Sequence, residues 1–122
     1  MEGARCKASA FAAGAFRHGP FEVSGPGHLA IVLAARGRTG DLCLNLAEEL
    51  AGKGSRVLLL TDCDKTPSGA NLFKLRFPYH GDEHLFPLCL SLAQGHLLAA
   101  IARLRGFEAG VFESISKVTT RE

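Results

Sequence analysis

The sequence predicts an α/β fold with a parallel sheet, and three observations carry the prediction. Two short apolar runs, His28 to Ala35 and Arg56 to Thr61, are continuous rather than alternating, as strands covered on both faces are. A helical apolar stripe lies between them. The order strand, helix, strand, short strand, helix is that of a βα-type sheet. With 122 residues, one domain is the natural count.

Taken in chain order, Met1 to Lys7 reads as the end of a helix, followed by the small-residue stretch Ala12-Ala13-Gly14-Ala15 and a Gly19-Pro20 turn. Ser24-Gly25-Pro26-Gly27 is a loop before the first strand. The helix expected over Asp41 to Lys53 places Leu42, Leu46, Ala47 and Leu50 on one face. Thr39 or Asp41 caps its start, and Gly52 or Gly54 ends it. A third, alternating strand runs from Asn71 to Phe77. Leu85 to Arg105 forms the last helix, with Pro87 acceptable only in its first turn and Gly106 after its end. Residues beyond Gly106 show little periodicity.

Composition narrows the function classes. Apolar residues make up 47% and charged residues 21%, which excludes a disordered or collagen-like chain. The net charge of +2 comes without a basic block, and aromatic content is 7% with no Trp, so nucleic acid is not an expected partner. The uninterrupted apolar runs fall far short of the ~20 residues that span a bilayer, and Met1-Glu2-Gly3 opens no signal peptide, so no membrane is expected. Cys6, Cys43, Cys63 and Cys89 lack paired spacing. They read as reduced thiols of a cytoplasmic protein, the last three as small buried hydrophobes.

Several residues have the chemistry for a site. His18, between Arg17 and the Gly19-Pro20 turn, is held in a defined direction, and an imidazole is suited to passing a proton at neutral pH. From spacing alone, a surface histidine capping a turn is the simpler reading. Lys117 lies in an uncharged stretch near the end of the chain. It is either a solvated tail residue or an amine that a folded-back tail brings to an anionic or carbonyl ligand. His80-Gly81-Asp82-Glu83-His84 spaces two imidazoles four apart, but a solvated helix cap is favoured over a metal site. Arg36-Gly37-Arg38-Thr39-Gly40-Asp41 joins a strand to a helix, where anions bind, without the full glycine fingerprint.

The segment Ala12-Ala13-Gly14-Ala15-Phe16-Arg17-His18-Gly19-Pro20-Phe21-Glu22 resembles the "AAGE(F/L)(R/K)HGP" segment of sugar isomerase (SIS) domains. The ending Ser116-Lys117-Val118-Thr119-Thr120-Arg121-Glu122 is similar to the family's C-terminal motif. Within the family, the chain resembles the C-terminal part of the isomerase half of glutamine–fructose-6-phosphate aminotransferase and related phosphosugar isomerases and deglycases. The resemblance implies a three-layer αβα, flavodoxin-like fold, here without the family's first strand and helix. It implies a partial SIS domain over residues 1–105 and, over 106–122, a tail that closes over an active site. The family's ring-opening His, which reaches the neighbouring subunit's site, matches His18. Its proton-moving Glu, sixteen positions upstream, matches Glu2, and its tail Lys matches Lys117.

These three are the catalytic residues that the resemblance implies, with Arg17, Gly19 and Ser116 binding substrate. An enediol route through acid–base groups needs no metal or organic cofactor. Ala15 and Ser9 depart from the glutamates usual at those positions, and Thr66-Pro67-Ser68-Gly69 is too isolated to stand in for the family's Ser/Thr-rich phosphate loop. A homodimer, or a partner supplying the N-terminal SIS part, is therefore expected. Two functional readings follow. One is a portion of an aldose–ketose isomerase or aminotransferase-type enzyme acting on a fructose 6-phosphate-like sugar. The other is a non-catalytic phosphosugar-binding or dimerisation module, or an inactive fragment.

Overall fold

In the computed structural model, residues 5–78 and 82–111 are described. They form α1 (Ala13–Arg17), β1 (Leu29–Ala34), α2 (Gly40–Gly52), β2 (Arg56–Thr61), β3 (Leu72–Arg76), a 3-10 turn (Glu83–Leu85) and α3 (Phe86–Leu104). The three strands make one parallel sheet in the order β1-β2-β3. Register is continuous: Val32 faces Leu59, and Val57 lies between Ala30 and Leu72. The expected parallel α/β architecture is present.

Hydrophobic burial on one face of the sheet sets the fold. Val32, Ala34, Val57, Leu59 and Leu72 pack beneath Leu46, Ala47 and Leu50 of α2. Each strand alternates sides, so Leu29, Ile31 and Leu33 of β1 and Phe73 and Leu75 of β3 emerge on the other face and are exposed. The helical stripe differs from the sequence expectation in one position. Leu42 is exposed, and Cys43 packs against the core in its place, because Cys43 lies one turn from Leu46 and Ala47.

Elements end where backbone chemistry requires. Thr39 is the residue before α2 but makes no side-chain cap; Asp41 in the first turn supplies the favourable negative charge. Gly40 is a close-approach position, since a Cβ there would lie 2.7 Å from the Ala35 carbonyl oxygen. Gly54 carries the chain away from α2, its N–H donating to Ala51 O. Pro87 sits in the first turn of α3, and Phe107 N–H returns to Ala102 O beyond its end.

The chain falls into two compact units, Phe11–Cys89 and a second made of Met1–Ala10 with Leu90–Glu122. The first holds the sheet, α1 and α2. In the second, the Arg5 guanidinium lies 4.4 Å from the centre of the Phe107 ring and donates to Val111 O. The helix expected over Met1 to Lys7 is not found at residues 5–7: Arg5 has a left-handed φ of 47° and no helix follows before α1. That segment has no apolar repeat to hold a helix against a core.

Glu83–Leu104 is a 22-residue helical stretch of mean hydropathy 1.7, long and apolar enough by length and composition to cross a bilayer. No uninterrupted apolar run within it reaches that length. Ser91, Gln94, Gly95 and His96 break the runs without lowering the average enough to matter.

Candidate functional site

In open parallel sheets, ligands bind beyond the carboxyl ends of the strands. Here that edge gathers the β1–α2 loop, the end of β2 and the end of β3. An open cleft of about 490 Å³ lies there, lined by Ala35, Arg38, Thr39, Glu83 and His84. The loop that opens α2 is thus part of a cavity wall. Gly37 adopts φ +146°, and a Cβ there would stand 1.5 Å from Glu83 Oε2. Only glycine admits that carboxylate, which also accepts the Arg38 backbone N–H at 3.2 Å.

A charged and hydroxyl network braces the edge beside the cleft. Asp62 is fully buried; its Oδ1 accepts the Arg36 N–H at 2.6 Å, while Oδ2 is buried with no partner among the described residues. Arg36 Nη2 donates to Asp62 O at 3.2 Å and to Asp64 Oδ2 at 2.6 Å. Arg76 pairs with the other oxygen of Asp64, so one carboxylate ties the ends of β1, β2 and β3. Thr61 Oγ1 donates to Ala34 O at 2.6 Å and accepts the Cys63 N–H at 3.0 Å. Lys74 Nζ donates to Thr66 Oγ1 and Ser68 Oγ, each at 3.3 Å. The two hydroxyls of that isolated segment therefore share one ammonium.

The His-Gly-Pro segment lies elsewhere. His18 is exposed at the end of α1, its N–H donating to Ala15 O, and Gly19 O accepts the Glu22 N–H. Arg17 spends both terminal nitrogens on Glu49, at 2.7 and 2.9 Å. That hydrogen bond raises the Arg17 pKa and holds Glu49 below the ordinary carboxylate range. Glu49 is in the last turn of α2, whereas the cleft is at its first, so Arg17 and His18 stand toward the amino edge of the sheet. Nearby, Phe16 stacks on His28, whose Nδ1 meets Ser55 Oγ at 3.3 Å. Of the sequence-predicted site residues, Arg17, His18 and Gly19 are together; Glu2, Ser116 and Lys117 lie outside the described residues.

His84 lines the cleft and His80 is outside the described residues; no group of three His, Cys, Asp or Glu suited to a metal occurs among the described ones. Asp82 Oδ1 accepts the His84 N–H at 2.9 Å, the cap expected of that acidic pair. Sequence reasoning missed Asp62, Asp64 and Arg76. Their available signal was a polar Thr-Asp-Cys-Asp run directly after an apolar strand.

Comparison with known proteins places this geometry. No curated protein sequence matches the chain significantly. Among solved structures, it is similar to the C-terminal domain of glucosamine-fructose-6-phosphate aminotransferase from Francisella tularensis, with a TM-score of 0.78 at 18% identity. That match covers 88% of this chain and 31% of the other, so the chain spans about a third of the protein it resembles in fold. The SIS domain family model matches residues 1–98, and the chain belongs to the SIS domain family.

Proposed function

We propose that this chain binds a phosphorylated sugar at the carboxyl edge of its sheet. The observation that carries the reading is the family match over residues 1–98 together with an open cleft at the edge where parallel sheets take ligands. Backbone N–H groups at the start of α2, Arg38 and the Thr39 hydroxyl supply anion-binding chemistry at its wall. The substrate class is fructose 6-phosphate-like, the chemistry aldose–ketose isomerisation or its aminotransferase-type variant. Glu2 is the carboxylate that moves the proton, His18 assists ring opening, and Lys117 approaches the open-chain sugar. Arg17, Gly19 and Ser116 complete the substrate contacts, and the segment 106–122 closes over the site.

The position of α1 supports one further element of the reading. His18 stands at the opposite end of the sheet from the cleft of its own chain, so it serves a cleft only when a second copy presents one. The assembly is a homodimer, or a complex with a chain supplying a further SIS domain. The four thiols, none in a disulfide, fit a cytoplasmic setting.

The test is calorimetric titration of the chain with fructose 6-phosphate against fructose, followed by an isomerase assay of the wild type, Glu2→Gln and His18→Ala. Phosphate-dependent binding with turnover lost in both variants is the expected result. Equal affinity for the two sugars overturns the reading. Binding without turnover favours the second reading, a non-catalytic phosphosugar module.

A further inference from the structure

The cysteines read from the sequence as inert core filler, yet all four are only partly buried, and two of them, Cys43 and Cys63, lie at the first turn of α2. Cys63 follows the end of β2. Its N–H is held by Thr61 Oγ1, and its sulfur lies 3.9 Å from Ala34 O. That sulfur rests on the first turn of α2, 3.6 Å from where a Cβ at Gly40 would stand. Cys43 projects from the same turn three residues on, a helical step that separates neighbouring Cβ positions by about 5–6 Å. Because residue 40 is glycine, no side chain stands on the turn between the two sulfurs. We propose that Cys43 and Cys63 are a thiol pair that closes into a reversible disulfide, tying the first turn of α2 to the carboxyl end of β2.

Electrostatics agree with the geometry. The Cys43 thiol is pushed above its ordinary range, first by burial and then by the charge of Cys63. Burial disfavours the Cys43 thiolate, so Cys63 attacks first. With glutathione disulfide as oxidant, the Cys63 thiolate attacks one sulfur, the S–S bond breaks, and one glutathione thiolate leaves and takes up a proton. Cys43 then loses its proton and attacks the Cys63 sulfur of the mixed disulfide. The Cys43–Cys63 bond forms as the second glutathione leaves. Two protein thiols are oxidised, and one glutathione disulfide is reduced to two thiols. The bond would fix the loop carrying Arg38 and Thr39 against the sheet, which gives the cleft a redox-dependent wall whatever ligand it takes.

The experiment is oxidation of the dilute full chain with glutathione disulfide, followed by thiol counting and peptide mapping without reduction. The expected result is loss of two thiols per chain and two hydrogen atoms of mass, with one cross-linked peptide joining residues 43 and 63. A variant with both Cys6→Ser and Cys89→Ser should behave as the wild type. Cys43→Ser and Cys63→Ser should each abolish the intramolecular species. Reduction with dithiothreitol should restore both thiols. A cross-link that joins other cysteines, or only mixed glutathione adducts on the wild-type chain, overturns the proposal. Because mapping is done on the wild type, a variant that fails to fold leaves the test intact.

Discussion

The two faces of this sheet carry similar residues and meet different surroundings. On one, Leu59 is fully buried beneath Leu46, Ala47 and Leu50. On the other, Ile31 and Leu33 are 47% and 45% exposed although they belong to the same apolar run as Val32 and Ala34. Composition did not decide which side became core; the helix did. Hydrophobic side chains stabilise in proportion to the area taken from water, so the residues under α2 contribute fully, while on the other face Leu60 is buried and Leu29, Ile31, Leu33, Phe73 and Leu75 are not. The other face, flanked by the edge of β1 that pairs with no strand among the described residues, has the features of an association surface.

Four measurements break or sharpen that contrast. Leu59→Ala should cost about 2–5 kcal/mol in urea denaturation, whereas Ile31→Ala should cost less than about 1 kcal/mol. Equal losses would mean that the second face is also packed. Thr61→Val removes a buried hydroxyl that both donates and accepts and should lower stability by about 1–3 kcal/mol, read from the same denaturation midpoint.

Ile31→Lys combined with Leu33→Lys should leave the far-ultraviolet circular dichroism spectrum unchanged and raise the proportion of monomer in sedimentation velocity. No change in sedimentation would remove the association role from that face. The smallest effect belongs to the partly exposed pair of Arg17 and Glu49 at the amino edge. Glu49 is depressed in the folded chain, so its contribution is present above the ordinary carboxylate range and is lost as pH falls through the folded value. Wild type should therefore lose more stability on acidification than Glu49→Gln, the two curves converging at the acid end. The gap should shrink in high salt.

Local signals made much of the fold legible. The strand at 56–61 and the helix after Thr39 are fixed by contiguous residues, and their bounds follow within a residue. The five-residue α1 was invisible because Ala13–Arg17 has no repeat long enough to show a period. The exposure of Leu42 was unreadable for another reason: a stripe defines a face only to within a neighbouring position, and Cys43 is apolar enough to take that place. The carboxyl-edge network escaped because Arg36, Asp64 and Arg76 come from three segments, and only register brings them together. Arg17 illustrates the same limit. Its neighbours in sequence point to a sugar, while its partner Glu49 is 32 residues away.

The Thr61 hydroxyl occupies a place where the backbone ladder has run out, and it speaks to both strand ends at once. Such a bridge has a kinetic signature. The Cys63 amide proton, although it lies past the last rung of β2, should exchange with deuterium as slowly as those of the central strand, so that local fraying begins beyond it.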